Sequence, residues 1–298
     1  MKSRRPFPGE ARAALVFLAP GLAVIGIFFL LPIAASLALS FTDFDIYALA
    51  DPGNVRLAGL ANYAALARDP LFWIALRNTF YFVFVGGPLT LGVALAAALL
   101  LHSRRARWKG LFRTIFFAPY VTTLVGVAVV FRYLYHPRFG LIGRALHIFG
   151  IAPIDWLGDP RWAMAGIILL AIWKNFGYAM ILFIAGLGNI PESLYEAARL
   201  DGAGPWQVFR RITLPLLTPT FLFLGVLTAI GYFQFFAEPY VMTNGGPLNA
   251  TLSMGLLMYK QGFRWWNMGY AAAISFVLFL IVLAVSLVQF ALAGRRDA

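Results

Sequence analysis

Apolar residues run through this sequence in six long stretches, and the segments between them carry nearly all of the charge. A helix needs about 20 apolar residues to cross the hydrocarbon core of a membrane. All six stretches reach that length, and no Asp or Glu lies inside any of them. We therefore expect an all-α polytopic membrane protein, a single transmembrane domain over residues 1–298, with spans near 13–39, 73–101, 111–134, 162–187, 214–236 and 268–293.

The flanks of these stretches support the assignment. Tryptophan rings prefer the membrane–water interface, and five of them lie at predicted span ends: Trp73, Trp108, Trp162, Trp265 and Trp266. The first stretch follows a basic amino-terminal segment, as a secretory signal peptide would. The apolar part of a signal peptide is only about 7–15 residues long, whereas this stretch runs over residues 13–39. We expect it to be a retained span.

Composition and charge agree with a membrane protein. Hydrophobic residues make up 61% of the chain and charged residues 12%, against about 45–50% and about 25% in ordinary soluble domains. The net charge of +12 would in a soluble domain suggest a nucleic-acid partner. Here thirteen Lys and Arg lie on one side of the predicted spans and seven on the other. Basic residues collect on the cytoplasmic side, so we expect both termini in the cytoplasm of an inner-membrane protein that binds no nucleic acid.

Several kinds of chemistry have no residues to carry them. The sequence contains no G-x-x-x-x-G-K-[ST] phosphate-binding loop, so we expect no ATP hydrolysis and no cofactor in this chain. The pair Asp43 and Asp45 resembles the metal-binding motif of a glycosyltransferase, but no other carboxylates accompany it, and we expect ordinary loop residues and no metal. A secondary carrier is the alternative transport class. Proton- or cation-coupled carriers usually need an acidic residue within the membrane, and the spans contain none.

The predicted cytoplasmic loop over residues 188–215 has a pattern of its own. Pro191 suits the first position of a helix, where its missing N–H costs nothing. Glu192 in the first turn favours the positive end of the helix dipole. Gly202 and Gly204 are expected to stop the helix, because glycine tolerates the left-handed cap, and Pro205 is expected to start another helix that leads into the fifth span.

The first helix of this loop is a candidate docking element. Such a short amphipathic helix can lie in a groove of a partner. The alternative is a helix on the lipid surface, but surface helices usually have a face rich in Lys and Arg. This segment instead combines small and apolar residues with charged ones, three of which are acidic: Glu192, Leu194, Glu196, Ala197, Ala198, Arg199, Leu200 and Asp201.

At this loop the sequence resembles the EAA motif of membrane subunits in binding-protein-dependent ABC importers. The motif residues are Glu196-Ala197-Ala198, Gly202 and Ile212-x-Leu214-Pro215. Further segments are similar to the carbohydrate branch of that family, the maltose and glycerol-3-phosphate type. They are Ser40–Asp43, Gly59–Tyr63, Thr243–Pro247 and Gly269–Ala273.

The resemblance implies a type I ABC importer permease fold, with six spans and a cytoplasmic coupling helix. It implies two cytoplasmic ATPase subunits that hold ATP and Mg²⁺, a second permease subunit of similar fold and an extracytoplasmic substrate-binding protein. The cargo it implies is a sugar or oligosaccharide, with glycerol-3-phosphate or a phosphodiester as the alternative. The residues it implies for coupling to the ATPase are Glu196, Ala197, Ala198, Asp201, Gly202 and Gly204.

A substrate pathway is harder to derive from the sequence. In maltose-type relatives the stretch before the Asn-Gly-Gly-Pro segment is rich in Asn and faces the sugar, whereas here one Asn is replaced by Phe235. Aromatic packing between helices is the alternative for this stretch. Lys174 is expected either to meet an anionic substrate or to pair with a neighbouring helix or carbonyl. The candidate pathway residues are Lys174, Tyr178, Tyr232, Gln234, Phe235, Glu238 and Ser275.

Overall fold

The computed structural model describes residues 8–103 and 106–294, and these residues are predominantly helical. Their only β pairing is an isolated antiparallel bridge between Thr42 and Leu57. The chain divides into two compact units, Met1–Arg68 with Met258–Val277, and Asp69–Leu257 with Leu278–Ala298. The single domain expected over 1–298 stays a prediction. Seven of the basic residues behind the predicted orientation lie outside the described residues: Lys2, Arg4, Arg5, Arg104, Arg105, Arg295 and Arg296.

The first unit contains a long apolar helical run and several short helices. The run consists of an α-helix, a π-helical turn and a second α-helix: Pro8–Ile25, Gly26–Leu30 and Leu31–Ser40. Three short helices follow at Ile46–Ala50, Pro52–Asn54 and Ala61–Arg68. A π-helical turn, Lys260–Arg264, and the first residues of the last helix, Met268–Gly294, complete the unit.

The second unit contains the remaining helices. Before the loop over residues 188–215 they are Pro70–Tyr81, the π-helical turn Phe82–Gly86, Gly87–His102, Lys109–Val121, Leu124–Leu134, Leu141–Ile148 and Ala163–Gly188. From the loop onward they are Glu192–Leu200, Pro205–Val208, the π-helical turn Phe209–Thr213, Leu214–Leu216, Thr218–Phe233, Ala237–Met242 and Met254–Tyr259, the last of which ends in the first unit.

Within the described residues, four continuous helices are long and apolar enough to cross a membrane. They are Ala13–Ser40, Pro70–His102, Ala163–Gly188 and Met268–Ala291, which we call spans 1, 2, 4 and 6. The other two predicted spans are pairs of helices. Span 3 is Lys109–Val121 with Leu124–Leu134, bent by 99°, and span 5 is Pro205–Leu216 with Thr218–Phe233, bent by 63°.

The break in span 3 corrects the continuous helix expected over 111–134. Pro119 lies in the last turn of Lys109–Val121, and the next two residues, Thr122 and Thr123, have extended backbone angles. Proline has no N–H to continue the helical ladder. A long apolar stretch indicates a membrane span, but it does not show where the helix within that span breaks.

Span 5 likewise differs from the helix expected over 214–236. It is bent at Leu217, between Pro215 and Pro219, and the helix ends at Phe233. Both prolines occupy early helical positions, where the missing N–H is tolerated. Residues 234–236 therefore form the link to the next short helix.

Helix packing in the second unit centres on span 4. It lies against the carboxy-terminal half of span 2 and against Lys109–Val121 of span 3. Phe183, Met180 and Leu187 of span 4 are buried in this core together with Ala94 and Ala98 of span 2. Gly177 allows the backbones to approach closely, because a Cβ there would overlap the carbonyl group of Phe116. Small residues have this role between membrane helices.

One cluster of contacts in the first unit joins three of the segments that resemble the carbohydrate branch of the importer family. The amide of Asn62 donates to the carbonyls of Ser40 and Thr42 at 2.9 and 2.8 Å. The hydroxyls of Tyr63 and Ser40 lie 2.7 Å apart. Gly269 packs against the Thr42 carbonyl, where a Cβ would overlap it. These motif residues therefore hold the end of span 1 to the start of span 6.

The pair Asp43 and Asp45 acts within its own loop. Asp43 accepts a hydrogen bond from the Arg56 amide at 2.7 Å. Asp45 caps the helix Ile46–Ala50 by accepting from the amides of Tyr47 and Ala48. In the part of the chain that the structure describes, no three His, Cys, Asp or Glu residues are grouped to hold a metal.

Candidate functional site

The loop over residues 188–215 contains the helix Glu192–Leu200. Its end forms a Schellman motif, in which Gly202 has a φ of +73°. The amide of Ala203 donates to the carbonyl of Ala198 at 2.9 Å, and the amide of Gly202 donates to that of Arg199 at 3.1 Å. This motif satisfies carbonyls that a helix end would otherwise leave unpaired. The glycine six residues after Glu196 is thus the left-handed residue that ends the helix.

Two positions of the loop differ from the expectation. Pro191 is the N-cap of the helix, one residue before its first turn. Gly204 does not share the left-handed stop with Gly202: its φ is −71° and its ψ is 161°, and it is the N-cap of the next helix, in which Pro205 is the first residue. A single glycine is enough to end the helix, because the Schellman motif requires only one left-handed residue.

One side of this helix is anchored and the other faces solvent. Ala198 is buried, and the Tyr195 hydroxyl lies 3.2 Å from the Thr213 hydroxyl in the π-helical turn that follows. Glu196, Ala197, Asp201, Gly202 and Gly204 are exposed. Leu200 is 90% exposed. A mostly apolar hollow of about 650 Å³ adjoins the helix, with Tyr195, Arg199, Trp206 and Phe209 in its wall.

The second candidate region is a cavity of about 390 Å³ between spans 2 to 5. Five of the seven candidate pathway residues line it: Lys174, Tyr178, Tyr232, Phe235 and Glu238. Tyr178 stacks on Tyr120, with ring centroids 4.7 Å apart and planes 14° apart. Phe235 stacks on the buried Phe82 at 4.0 Å. The cavity thus presents aromatic rings beside hydroxyl, amide and charged groups.

Lys174 holds the break in span 3. Its ammonium donates to the carbonyls of Pro119, Tyr120 and Thr122 at 3.1, 3.2 and 2.7 Å. An ammonium has three N–H donors, so these carbonyls use its full donor capacity. Lysine at a helix end satisfies the last carbonyls and favours the negative end of the dipole. These contacts match the carbonyl-pairing alternative for Lys174.

Tyr232 is fixed by a chain of hydrogen bonds. Its hydroxyl lies 2.7 Å from that of Thr90, which donates to the Gly86 carbonyl at 2.8 Å. Both residues are buried and line the cavity. A hydroxyl accepts more than one hydrogen bond, so this pair keeps acceptor capacity for a ligand.

Glu238 comes from the short helix Ala237–Met242, which packs against Leu124–Leu134 of span 3. Its side chain is 7% exposed and lines the cavity. It interacts electrostatically with Lys174, although the two form no ion pair within 4 Å. An acidic and a basic side chain therefore lie in the wall of one cavity without an ion-pair contact.

Two candidate pathway residues lie elsewhere. Gln234 is exposed and caps the end of Thr218–Phe233, so it is not among the residues that line the cavity. Ser275 belongs to the first unit, where its hydroxyl lies 3.3 Å from that of Ser36 and donates to the Ala272 carbonyl. The sequence could not exclude them, because helix phase at a span end depends on where the helix stops.

Sequence reasoning missed other polar residues of the cavity wall. They are Thr90, Tyr120, Asn175 and Thr228. Each is a polar or amphipathic residue inside or next to an apolar stretch, which is the usual mark of a pathway in a membrane protein. That signal was present, but it does not tell which of many such residues share one cavity.

The segment after Ala237–Met242 is a tightly bonded loop. Asn78 of span 2 donates to the carbonyls of Asn249 and Leu252 at 2.8 and 3.1 Å. The hydroxyls of Thr243 and Thr251 lie 2.7 Å apart, and Thr251 is fully buried. The Thr243–Pro247 segment thus helps to fix the link between spans 5 and 6 against span 2.

Known proteins similar to this chain include permease proteins of sugar transport systems. The lactose transport system permease protein LacF of Rhizobium radiobacter is 39% identical over 287 residues, which cover 94% of each chain. The arabinooligosaccharides transport system permease protein AraP of Bacillus subtilis is 34% identical over 290 residues, 97% of this chain and 90% of AraP.

Solved structures share the fold. The crystal structure of a bacterial ABC transporter involved in the import of the acidic polysaccharide alginate contains a chain that matches with a TM-score of 0.77 and 22% identity, over 96% of both chains. A chain from the crystal structure of a bacterial alginate ABC transporter in complex with an alginate pentasaccharide-bound periplasmic protein matches with a TM-score of 0.78. Residues 88–297 match the family described as binding-protein-dependent transport system inner membrane component. The chain belongs to that family and has the fold of a type I ABC importer permease.

Proposed function

We propose that this chain is the permease subunit through which an ABC importer moves a sugar or oligosaccharide delivered by an extracytoplasmic binding protein. The observation that carries the proposal is the Glu192–Leu200 helix with its Schellman end and the exposed Glu196 and Ala197 of the EAA motif. Relatives named for lactose and for arabinooligosaccharides support sugar as the cargo.

In this proposal Glu192–Leu200 docks in a cleft of a cytoplasmic ATPase subunit. Glu196 provides the exposed charge, Leu200 provides an exposed apolar side chain, and Gly202 ends the helix so that the chain can turn back to span 5. ATP and Mg²⁺ bind in the ATPase subunits. Ala197, Ala198, Asp201 and Gly204 complete the coupling segment, in which small residues permit close approach.

The chain works with a second permease of similar fold, with both termini in the cytoplasm. The thirteen-to-seven distribution of basic residues supports this orientation. Two permeases and two ATPase subunits then form the membrane complex, and the binding protein docks on the outer side.

The cavity supports a sugar as cargo. Sugars present hydroxyls to polar groups and apolar ring faces to aromatic side chains. The stacked pair of Tyr120 and Tyr178 supplies an aromatic surface, and Thr90 and Tyr232 supply hydroxyls. We assign the pathway to the cavity-lining residues Lys174, Tyr178, Tyr232, Phe235 and Glu238.

The coupling variants Glu196→Lys and Gly202→Asp test the proposal in cells that carry the complete transport system. Both should leave the chain in the membrane while lowering co-purification of the ATPase and sugar uptake. Gln207→Lys is the control, because it introduces the same lysine at an exposed position of the same loop that the motif does not specify. Unchanged co-purification and uptake in both coupling variants would refute the docking role.

A secondary carrier makes the opposite prediction about energy. Uptake by an ABC importer should require the ATPase subunit and persist when a protonophore removes the ion gradient. Uptake by a secondary carrier should not need the ATPase subunit and should stop when the gradient is removed. The cargo is tested in the same cells with radiolabelled lactose, an arabino-oligosaccharide and glycerol-3-phosphate. Uptake of glycerol-3-phosphate but of neither sugar would move the assignment to the phosphate branch.

A further inference from the structure

The charged groups of the cavity are not equivalent toward a ligand. Among the residues that the structure describes, Lys174 is the only basic one in its wall, and three carbonyls already accept from its ammonium. An anionic cargo would therefore find no free N–H donor on this cation. Its positive charge serves the helix end in span 3.

Glu238, in contrast to Lys174, has hydrogen-bonding capacity that its neighbours do not use. Among the described residues, the hydrogen bond to its carboxylate comes from its own amide, and no cation lies within ion-pair distance. Its side chain is nevertheless 93% removed from solvent in the cavity wall, since only 7% is exposed. A carboxylate accepts up to about four hydrogen bonds. It therefore offers unused acceptor sites to whatever enters the cavity.

The neighbours of Glu238 fit a polyhydroxylated ligand with donors. Tyr232 and Thr90 add hydroxyl groups to the same cavity, and Tyr120 with Tyr178 adds a flat aromatic surface. A neutral sugar can donate its hydroxyls to the carboxylate while a ring face lies on the aromatic pair. A phosphate or uronate would bring a second negative charge into a weakly screened site.

We propose that Glu238 is a specificity-determining residue of the cavity: it accepts hydrogen bonds from hydroxyls of a neutral sugar and excludes anionic sugars such as sugar phosphates and uronates. This inference rests on the proposed function. It selects the neutral-sugar branch over glycerol-3-phosphate from residues of this chain alone, independently of the selection made by the binding protein.

The test measures equilibrium binding of a radiolabelled sugar that the system takes up, on the purified membrane complex without its binding protein. The competitors are the same unlabelled sugar, its 6-uronate and its 6-amino-6-deoxy derivative. In the native complex the uronate should need at least tenfold higher concentration than the neutral sugar, and the amino derivative should compete at least as well as the neutral sugar. Glu238→Gln should reduce the uronate disadvantage about tenfold.

Two variants control for folding and for general charge effects. Glu238→Asp keeps the charge and should keep the discrimination. Asp155→Asn removes an exposed carboxylate that accepts from the Gly158 amide outside the cavity, and should leave all three affinities unchanged.

Measurements on the native protein alone can overturn the inference, so the test does not depend on whether a variant folds. A uronate disadvantage below tenfold, or an amino derivative that competes less well than the neutral sugar, contradicts it. So does sugar uptake without saturable sugar binding. If no sugar is taken up at all, the proposed function itself fails, and the two failures are thereby distinguished.

Discussion

The ammonium of Lys174 in span 4 lies 2.7 Å from the carbonyl oxygen of Thr122, the first residue after the helix Lys109–Val121. Two more carbonyls of the same turn share this ammonium. Backbone carbonyls at membrane depth must find partners within the protein, because lipid offers none. A lysine from a neighbouring span thus makes the sharp break in span 3 tolerable.

Replacing Lys174 by Met should destabilise the protein. The three carbonyls lose a charged donor, and hydrogen bonds to charged groups contribute about 1.5–3 kcal/mol each before compensation. We expect a loss of about 2–4 kcal/mol in the free energy of unfolding, read as a lower thermal midpoint in detergent by tryptophan fluorescence. Lys174→Arg, which keeps the donors, should recover part of it. A midpoint unchanged in Lys174→Met would contradict the capping role.

The two glycines of the coupling loop should respond differently to alanine. Gly202 has a φ of +73°, whereas Gly204 has a φ of −71°, and added Cβ atoms would meet nothing within 4 Å at either position. The left-handed conformation costs a non-glycine residue about 1–2 kcal/mol. Gly202→Ala should therefore speed hydrogen exchange in Glu192–Leu200 and lower ATPase co-purification. Gly204→Ala serves as the control, and equal effects of the two would exclude a role for backbone conformation.

Alanine at Gly177 should disturb the contact between spans 3 and 4. Its Cβ would overlap the Phe116 carbonyl group, so one helix has to move. Overpacking of this kind costs about 1–3 kcal/mol. Gly188, at the end of the same helix, has open space at the Cβ position and is the matched control. The thermal midpoint should fall in Gly177→Ala and stay unchanged in Gly188→Ala, and an equal fall in both would contradict the packing role of Gly177.

The aromatic pair in the cavity should matter through its rings. Loss of an aromatic contact costs about 0.5–1.5 kcal/mol, which corresponds to a roughly two- to tenfold change in an equilibrium constant. Tyr178→Ala should raise the KM of sugar uptake by about that factor with little change in ATPase co-purification. Tyr178→Phe retains the ring that stacks on Tyr120 and should stay near the native value. An effect of Tyr178→Phe as large as that of Tyr178→Ala would assign the role to the hydroxyl.

Elements that depend on local chemistry were predictable from the sequence. Continuous apolar stretches become spans 1, 2, 4 and 6, because their length alone meets the membrane thickness. The spacing from Glu196 to Gly202 correctly indicates a helix that ends on a left-handed glycine. The family assignment from this motif is confirmed by the match over residues 88–297.

Elements that depend on contacts between residues distant in sequence were not predictable from the sequence. The bends in spans 3 and 5 follow from prolines whose effect depends on available partners, and Lys174 is such a partner 52 residues away from Thr122. Gln234 and Phe235 are neighbours in sequence, yet only Phe235 lines the cavity, because the helix stops at Phe233.

The sequence by itself determined the class of molecule, the positions of the long apolar stretches and the EAA motif, since these rest on composition, length and short-range spacing. Only the tertiary structure decided which polar residues share a cavity. It also decided that the N–H groups of Lys174 donate to backbone carbonyls, whereas the carboxylate of Glu238 keeps acceptor sites for a ligand. Hydrogen-bond capacity is consumed or spared only when helices pack, so the charge that a ligand meets cannot be read from a list of charged residues.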